Sequence, residues 1–567
     1  MPLKTTTEFL DELETLKTRF GSRERNDVER LLARLARLKF ADAEVLLRYH
    51  ELLLFLRAYP HSRQSLGIVN RELANFAERV AQLEAADADL TILEHPENSG
   101  IAGMSVTDTF SYYIVRWLVK RQPGRVNLYW DDFEDENRLA ATWPRFMPLL
   151  EEDAAVEANV PYRQWLRTAS GSQRRELPWL FEQFDRLPLA DKEKAELFDS
   201  QKLYVTWTPS FRESRTGMQL PSGKTYYHSG PLIQRRDVSL RRELRKAPPP
   251  LRLLSEKQGS AVLDLTRAAS TVRYRELYGF THGDPKRVFK ADLGRGVEVF
   301  ITALPPGKRL PLRACHSAMI FKNGVAIGYF EGISLFERME SGFNLYYTFR
   351  DGETAWLYAA LLGIFRHLLG VTAFAIDPYQ IGYQNEEGIA SGACWFYRKL
   401  GFRPTSPEVS RLVLREEAKI AGRKQYRTGA KTLRKLAESP MIFELDATEN
   451  SASGEWDRFS VRKIGLNAHR QMPARYRGNA AGFRRAAVEK FTRVLGMHVE
   501  DWKDAELPVV SDFAVALSPA NLSDWSDVEK RALAQIIRAK AISDESRYLK
   551  LMQKHARLRD MMINLGS

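Results

Sequence analysis

Tyr397, Glu331 and Asp377 are the side chains of this sequence whose types and settings suit proton transfer. A positioned phenol can protonate a departing anion, and a carboxylate can take the proton of an ammonium directly or through a water. Tyr397 stands in ACWFYRKLGFRP, from Ala393 to Pro404; Glu331 follows a hairpin turn, and Asp377 ends the short apolar run VTAFAID. Ala393, Phe396, Tyr397 and Leu400 share one helical face at spacings of three and four, so the same pattern also describes a tyrosine that only packs. Cys315 and His316 are neighbours on a predicted strand and therefore point to opposite faces, which argues against a nucleophile pair. Asp131, Asp132, Glu134, Asp135 and Glu136 lie in DDFEDE, but consecutive carboxylates lack a defined ligand spacing. They predict a solvated loop, and no metal site is expected.

The elements that must position these groups follow from apolar periodicity. Strands are expected at VEVFITAL, HSAMIF, VAIGYFEGISLF and FNLYYTF. HSAMIF and VAIGYF flank Lys322, Asn323 and Gly324, and Asn-Gly between apolar runs signals a tight hairpin. Then comes a helix with apolar residues at Trp356, Leu357, Ala360, Leu361, Ile364, Phe365 and Leu368, closed by Gly370. VTAFAID reads as a buried strand, followed by a loop and the helix of Tyr397. A strand, helix, strand passage implies a parallel pair with a right-handed crossover, here grafted onto an antiparallel meander. Beyond Pro404, Ser406 as N-cap and Pro407 at the first helical position predict another helix.

At 567 residues the chain exceeds one hydrophobic core and suggests several domains. Leucines at helical spacing predict a bundle over 1–100, and 101–250 reads as mainly helical with a few strands such as VNLYW. Pro248, Pro249 and Pro250 mark a boundary. The strand-rich region occupies 251–410, and 411–567 is mainly helical. A formal charge of +13 suits anionic partners. Two cysteines, Cys315 and Cys394, exclude a disulfide scaffold and a thiolate-rich zinc site. The opening MPLKTTTEFLDELETLK lacks a signal-peptide pattern, and AALLGIFRHLLGVTAFAI is broken by Arg366 and His367. A protein of the cytoplasm that does not enter the membrane is expected.

The stretch from Val297 to Pro404 resembles the GNAT superfamily of N-acetyltransferases. WFYRKLGFRP looks like that family's penultimate helix and following turn, KNGVAIGYFEG resembles its central hairpin, and Asn385 precedes the helix much as an asparagine often does there. The resemblance implies an α/β (α+β) fold, a mixed sheet with helices on both faces, between mainly helical flanks. It also implies an acyl donor, acetyl-CoA or another acyl-CoA, and an amine acceptor of unknown identity. Tyr397 matches the acid that protonates the leaving thiolate, with Glu331 and Asp377 as candidate bases. The family's pyrophosphate loop corresponds to Arg350, Asp351, Gly352, Glu353, Thr354 and Ala355, at a helix N-terminus suited to anions. Gly352 comes one residue early, and Asp351 and Glu353 bring negative charge that fits the helix dipole equally well.

The family follows its last helix with one or two further strands. Either RPTSPEVSRLVL hides a short strand or the sheet ends early. Two other functions compete with acyl transfer: a scaffold or sensor of this fold without catalysis, and nucleic-acid binding. The latter would use Arg411, Arg415, Lys419, Arg423, Lys424, Arg427, Lys431, Arg434 and Lys435, which also read as a solvated helix face.

Overall fold

The computed structural model describes residues 5–150, 160–221, 223–446 and 454–567. The first four residues of the opening stretch lie outside them. Strands β1 (Val106–Asp108), β2 (Val126–Tyr129) and β3 (Tyr204–Trp207) form a small antiparallel sheet in the order β1-β3-β2. A second sheet has nine strands: β4 (Arg252–Leu253), β5 (Val288–Gly294), β6 (Val297–Ala303), β7 (Ala314–Lys322), β8 (Val325–Leu335), β9 (Arg338–Leu345), β10 (Ala373–Ile376), β11 (Arg403–Pro404) and β12 (Met441–Glu444). Their order is β11-β12-β10-β9-β8-β7-β6-β5-β4. Only β9 and β10 pair in parallel; the remaining neighbours are antiparallel. This is the mixed α+β class that the sequence predicts.

The hairpin of β7 and β8 forms where Asn323 and Gly324 both take positive φ, 49° and 80°. That backbone matches the twist of the flanking strands. A side chain at Gly324 would lie 2.3 Å from the Leu220 carbonyl oxygen, so the turn is also sealed by close approach. Asn323 is tied down as well: Nδ2 donates to the Ala58 carbonyl at 2.8 Å, and Oδ1 accepts from the Tyr226 amide at 2.8 Å.

Two strand expectations need correction. FNLYYTF is strand only over Phe343–Leu345: β9 begins earlier, at Arg338, and ends at Leu345, and Tyr347–Phe349 turn in a short 3-10 helix. Pairing with β8 from Leu335↔Arg338 onward draws in RMESG, whose polar residues hid the strand. Of the two alternatives for the end of the sheet, RPTSPEVSRLVL does hide a short strand, and the sheet also extends past residue 410. β11 is a two-residue strand, and β12 enters between it and β10 after the helices Pro407–Gly422 and Ala430–Leu436. Ser406 caps the first of these helices, accepting from the Val409 amide, with Pro407 in the first turn as expected.

Helices cover both faces of the large sheet. Thr354–Leu369 lies on one face, with Phe365 stacked on Phe330 at 4.8 Å between ring centroids. On the other, the helix Tyr278–Thr281 sits over Ser317 and accepts a hydrogen bond from Thr302 through the Gly279 carbonyl at 3.2 Å. The amino-terminal helix Ala43–Ala58 is almost wholly buried. It reaches the central region through Asn323 and through Arg57, which donates to the Thr216 carbonyl at 2.7 Å.

Candidate functional site at the open end of the parallel strand pair

β9 and β10 are joined through the helix Thr354–Leu369, and they pair only over Ala373↔Arg338, Phe374↔Met339 and Ala375↔Glu340. β10 then ends at Ile376, whereas β9 continues through Ser341 to Leu345 bonded to β8 alone. The cause is local. Asp377 accepts from the Tyr379 amide at 2.9 Å and caps the turn Pro378–Ile381, which swings the chain off the sheet. Gln380 fills part of the opening, with Nε2 3.7 Å from where a side chain on Gly342 would begin.

Tyr397 and Glu331 lie on opposite faces of the sheet beside this opening. In the β8–β9 register Gly332 faces Ser341, and Glu331 faces Gly342. Ser341 shares a 2.9 Å hydrogen bond with Tyr358 of the helix Thr354–Leu369, and the Tyr397 ring packs edge-on to Tyr358 at 5.7 Å. Tyr397 therefore belongs to the Ser341 side and Glu331 to the other, since successive strand residues alternate. Tyr397 is 3% exposed among Tyr358, Phe396 and Phe402, and its hydroxyl makes no hydrogen bond with the described residues. Burial pushes its pKa above the usual phenol range. Burial also raises Glu331, against hydrogen bonds from the Ser317 hydroxyl, at 3.4 Å, and from the Gly279 amide.

The loop Arg350 to Ala355 is heavily engaged within the chain. Gly352 lies against the amino-terminal bundle: a side chain there would begin 2.3 Å from the Tyr59 hydroxyl. Asp351 pairs with Lys17 at 2.8 Å. Glu353 is fully buried, ion-paired with Arg295 at 2.5 Å and Lys322 at 3.6 Å, and accepts from the Ile233 amide at 3.1 Å. Burial lowers Lys322 to about 7 despite that partner, and His228 beside it to about 3. Thr354 turns its hydroxyl back to the Arg350 carbonyl at 2.9 Å, and Ala355 is buried. The helix N-terminus thus already faces a buried carboxylate of its own chain, which fits an incoming pyrophosphate poorly. Arg350 differs, because its guanidinium lies beside the end of β9, where Nε donates to the Leu345 carbonyl at 3.1 Å, and pairs with Glu387.

Asn385 caps the helix Glu386–Ala390, accepting from the Gly388 amide at 3.2 Å and donating to the Tyr379 carbonyl at 3.0 Å. Like Asp377, it shapes the turn beside the opening. Cys315 and His316 diverge as alternation requires: Cys315 shares the Glu331 side, while His316 meets Phe365 at 6.4 Å. Burial raises both cysteine thiols to about 12, and both are free. Among the described residues no cluster of His, Cys, Asp and Glu could hold a metal ion, and no helix is long and apolar enough to cross a membrane. The basic run from Arg411 to Lys435 is split over two helices and the connection between them, which holds Arg423, Lys424 and Arg427; Lys419 pairs with Glu416 at 2.6 Å and Arg434 with Glu386 at 2.9 Å.

Sequence reasoning named Arg350 but missed Arg215, Arg273 and Arg275, which gather with it beside the end of β9. Arg215, Arg273, Arg275 and Arg350 line a cleft with Asn344 and Tyr346, and its interior measures about 20 Å³. These residues come from three distant segments, so no spacing in the chain announces them. Compared with protein-family models, curated proteins and solved structures, the chain matches none.

Proposed function

We propose that this chain transfers an acyl group from a coenzyme A thioester, acetyl-CoA or another acyl-CoA, to an amine. The observation that carries the reading is the parallel pair β9 and β10, which parts after three residue pairs with Tyr397 on one side and Glu331 on the other. A thioester entering between the strand ends would have Tyr397 on one side of β9 and Glu331 on the other. The amine attacks the thioester carbon; the C–N bond forms, one nitrogen proton passes to Glu331, and the C–S bond breaks. The sulfur leaves with the electron pair and takes a proton from Tyr397, after which solvent restores the phenol and discharges Glu331. A carboxylate with a raised pKa suits the base, and a buried phenol with no other partner is available to the sulfur.

The order β9-β10-β12-β11, with a helix between β9 and β10 and the Tyr397 helix after β10, supports the reading further. The loop Gly352 to Ala355 does not, because Tyr59, Arg295 and Lys322 occupy its surroundings. The adenosine end of the donor is therefore not assigned to that helix N-terminus. Calorimetric titration of acetyl-CoA and longer acyl-CoA thioesters into the full chain tests the proposal. Saturable binding, with amide formation on a panel of amines, is the expected result. Heat traces indistinguishable from dilution with every thioester would overturn it and leave a scaffold of this fold.

A further inference from the structure

The arginine cleft beside Asn344 has a charge imbalance that nothing in the acyl transfer above uses. Arg215 pairs with Glu51 at 2.7 Å. Burial alone would raise Glu51, but Arg215, with His50 and Thr348, brings it to about 2, so this pair is fixed. Arg350 pairs with Glu387. Arg275 is loosely shared between Glu97 at 3.3 Å and Glu387 at 3.5 Å. Arg273 makes no ion pair with the described residues. One of its terminal nitrogens donates to the Ala269 carbonyl at 2.7 Å, and its guanidinium lies 3.9 Å from the centre of the Tyr346 ring. Four guanidinium groups thus face three carboxylates.

The surplus sits at the buried end. Arg273 is 8% exposed and Tyr346 6%, both line the cleft, and Arg273 Nε and the Tyr346 hydroxyl are buried without a hydrogen-bond partner. A buried cation and a buried donor left unpaired each carry a desolvation penalty that an anionic oxygen between them would relieve. The interior, about 20 Å³, admits one water-sized oxygen. The two carboxylates at the rim, Glu97 and Glu387, have side chains 51% and 39% exposed and can swing away as an anion enters.

The cleft also lies on the face of the sheet that carries the proposed base. Asn344 donates to the Tyr329 hydroxyl at 3.4 Å, as Arg275 does at 3.3 Å, and Tyr329 stands on the same face of β8 as Glu331, two residues away. That spacing corresponds to roughly 7 Å. We infer that the acceptor is an amine bearing an oxyanion, a carboxylate or a phosphate, which Arg273 and Tyr346 bind while its amino group reaches Glu331. This assignment rests on the acyl-transfer reading for the amine, and on the cleft alone for the oxyanion.

The test has a binding arm and a kinetic arm on the full chain. Propionate, inorganic phosphate and uncharged propionamide are titrated into the parent, Arg273→Met, Tyr346→Phe and Arg350→Gln, with folding checked by circular dichroism. Saturable binding of propionate or phosphate but not propionamide is expected, weakened at least 10-fold by Arg273→Met and about 3-fold by Tyr346→Phe. Which anion binds more tightly separates a carboxylate acceptor from a phosphate one. Should Arg273→Met fail to fold, Tyr346→Phe removes only a hydroxyl and decides the question. Absence of saturable anion binding would overturn the inference, as would anion binding that displaces acyl-CoA, which would give the cleft to the donor. In the kinetic arm, amino acids are compared with their amides as acceptors. A KM at least 10-fold lower for the anionic member is expected. Equal use of both, with acyl-CoA bound, removes the acceptor assignment and leaves acyl transfer standing; anion binding without acyl-CoA binding does the reverse.

Discussion

Replacing Tyr397 by Phe separates packing from chemistry at the one position where the two readings of the helix Ala393–Lys399 diverge. The ring is 3% exposed and meets Tyr358, Phe396 and Phe402, whereas the hydroxyl makes no hydrogen bond with the described residues. Phe preserves every ring contact. With no protein partner to lose, its removal should change stability by no more than about 0.5 kcal/mol and leave the melting temperature within a few degrees of the parent. If the hydroxyl delivers the proton to the leaving sulfur, kcat falls by about 100- to 10,000-fold, which is roughly 2.7–5.4 kcal/mol of barrier. Thioester binding should be unaffected, because the interaction arises only as the C–S bond breaks. The measurements are differential scanning calorimetry, thioester titration and turnover on the same preparations. Turnover equal to the parent with thermal stability intact would remove Tyr397 from the mechanism. A fall of several degrees in melting temperature would instead show that the hydroxyl has a partner, and the energetic reasoning would be wrong.

Three more expectations follow from the geometry. Glu331→Gln should abolish the acidic limb of the pH profile of kcat/KM: the base works only when ionised, so parent activity declines as pH falls through a pKa that burial has raised above 4.5. An unchanged profile would point to another base. Glu353→Gln leaves Lys322 buried and Arg295 half-buried beside a neutral partner, and denaturant melts should show a loss of about 3–5 kcal/mol, with Lys322→Met in the same chain recovering part of it. The sign with pH is set by Lys322, whose pKa drops from 10.5 to about 7 in the folded chain. The unfolded chain therefore binds the extra proton between those values, and this lysine's contribution to stability rises with pH across that window. Gly352→Ala, with a methyl carbon 2.3 Å from the Tyr59 hydroxyl, should cost about 1–3 kcal/mol in the same melts, since Tyr59 is buried and stacked on Phe55. A neutral result would mean that the amino-terminal bundle yields easily to the loop.

What the chain's order alone determined is the set of locally encoded elements. Asn323-Gly324 announces the β7–β8 hairpin because only residues tolerant of positive φ form that turn. The apolar stripe of the helix Thr354–Leu369, the buried run of β10, and the Ser406-Pro407 helix start are likewise written in neighbouring residues. β12 was not legible, since MIFE is too short a run to distinguish strand from helix; its place between β10 and β11 is decided by hydrogen bonds to residues dozens of positions away. The candidate site divides along the same line. Tyr397, Glu331 and Asp377 could be picked out by type and setting. That Tyr397 and Glu331 approach β9 from opposite faces, that Glu353 is spent on Arg295 and Lys322, and that four arginines meet around Tyr346 depend on side chains brought together through space. Electrostatic and packing interactions act over ångströms rather than along the chain, and only the folded arrangement sets those distances.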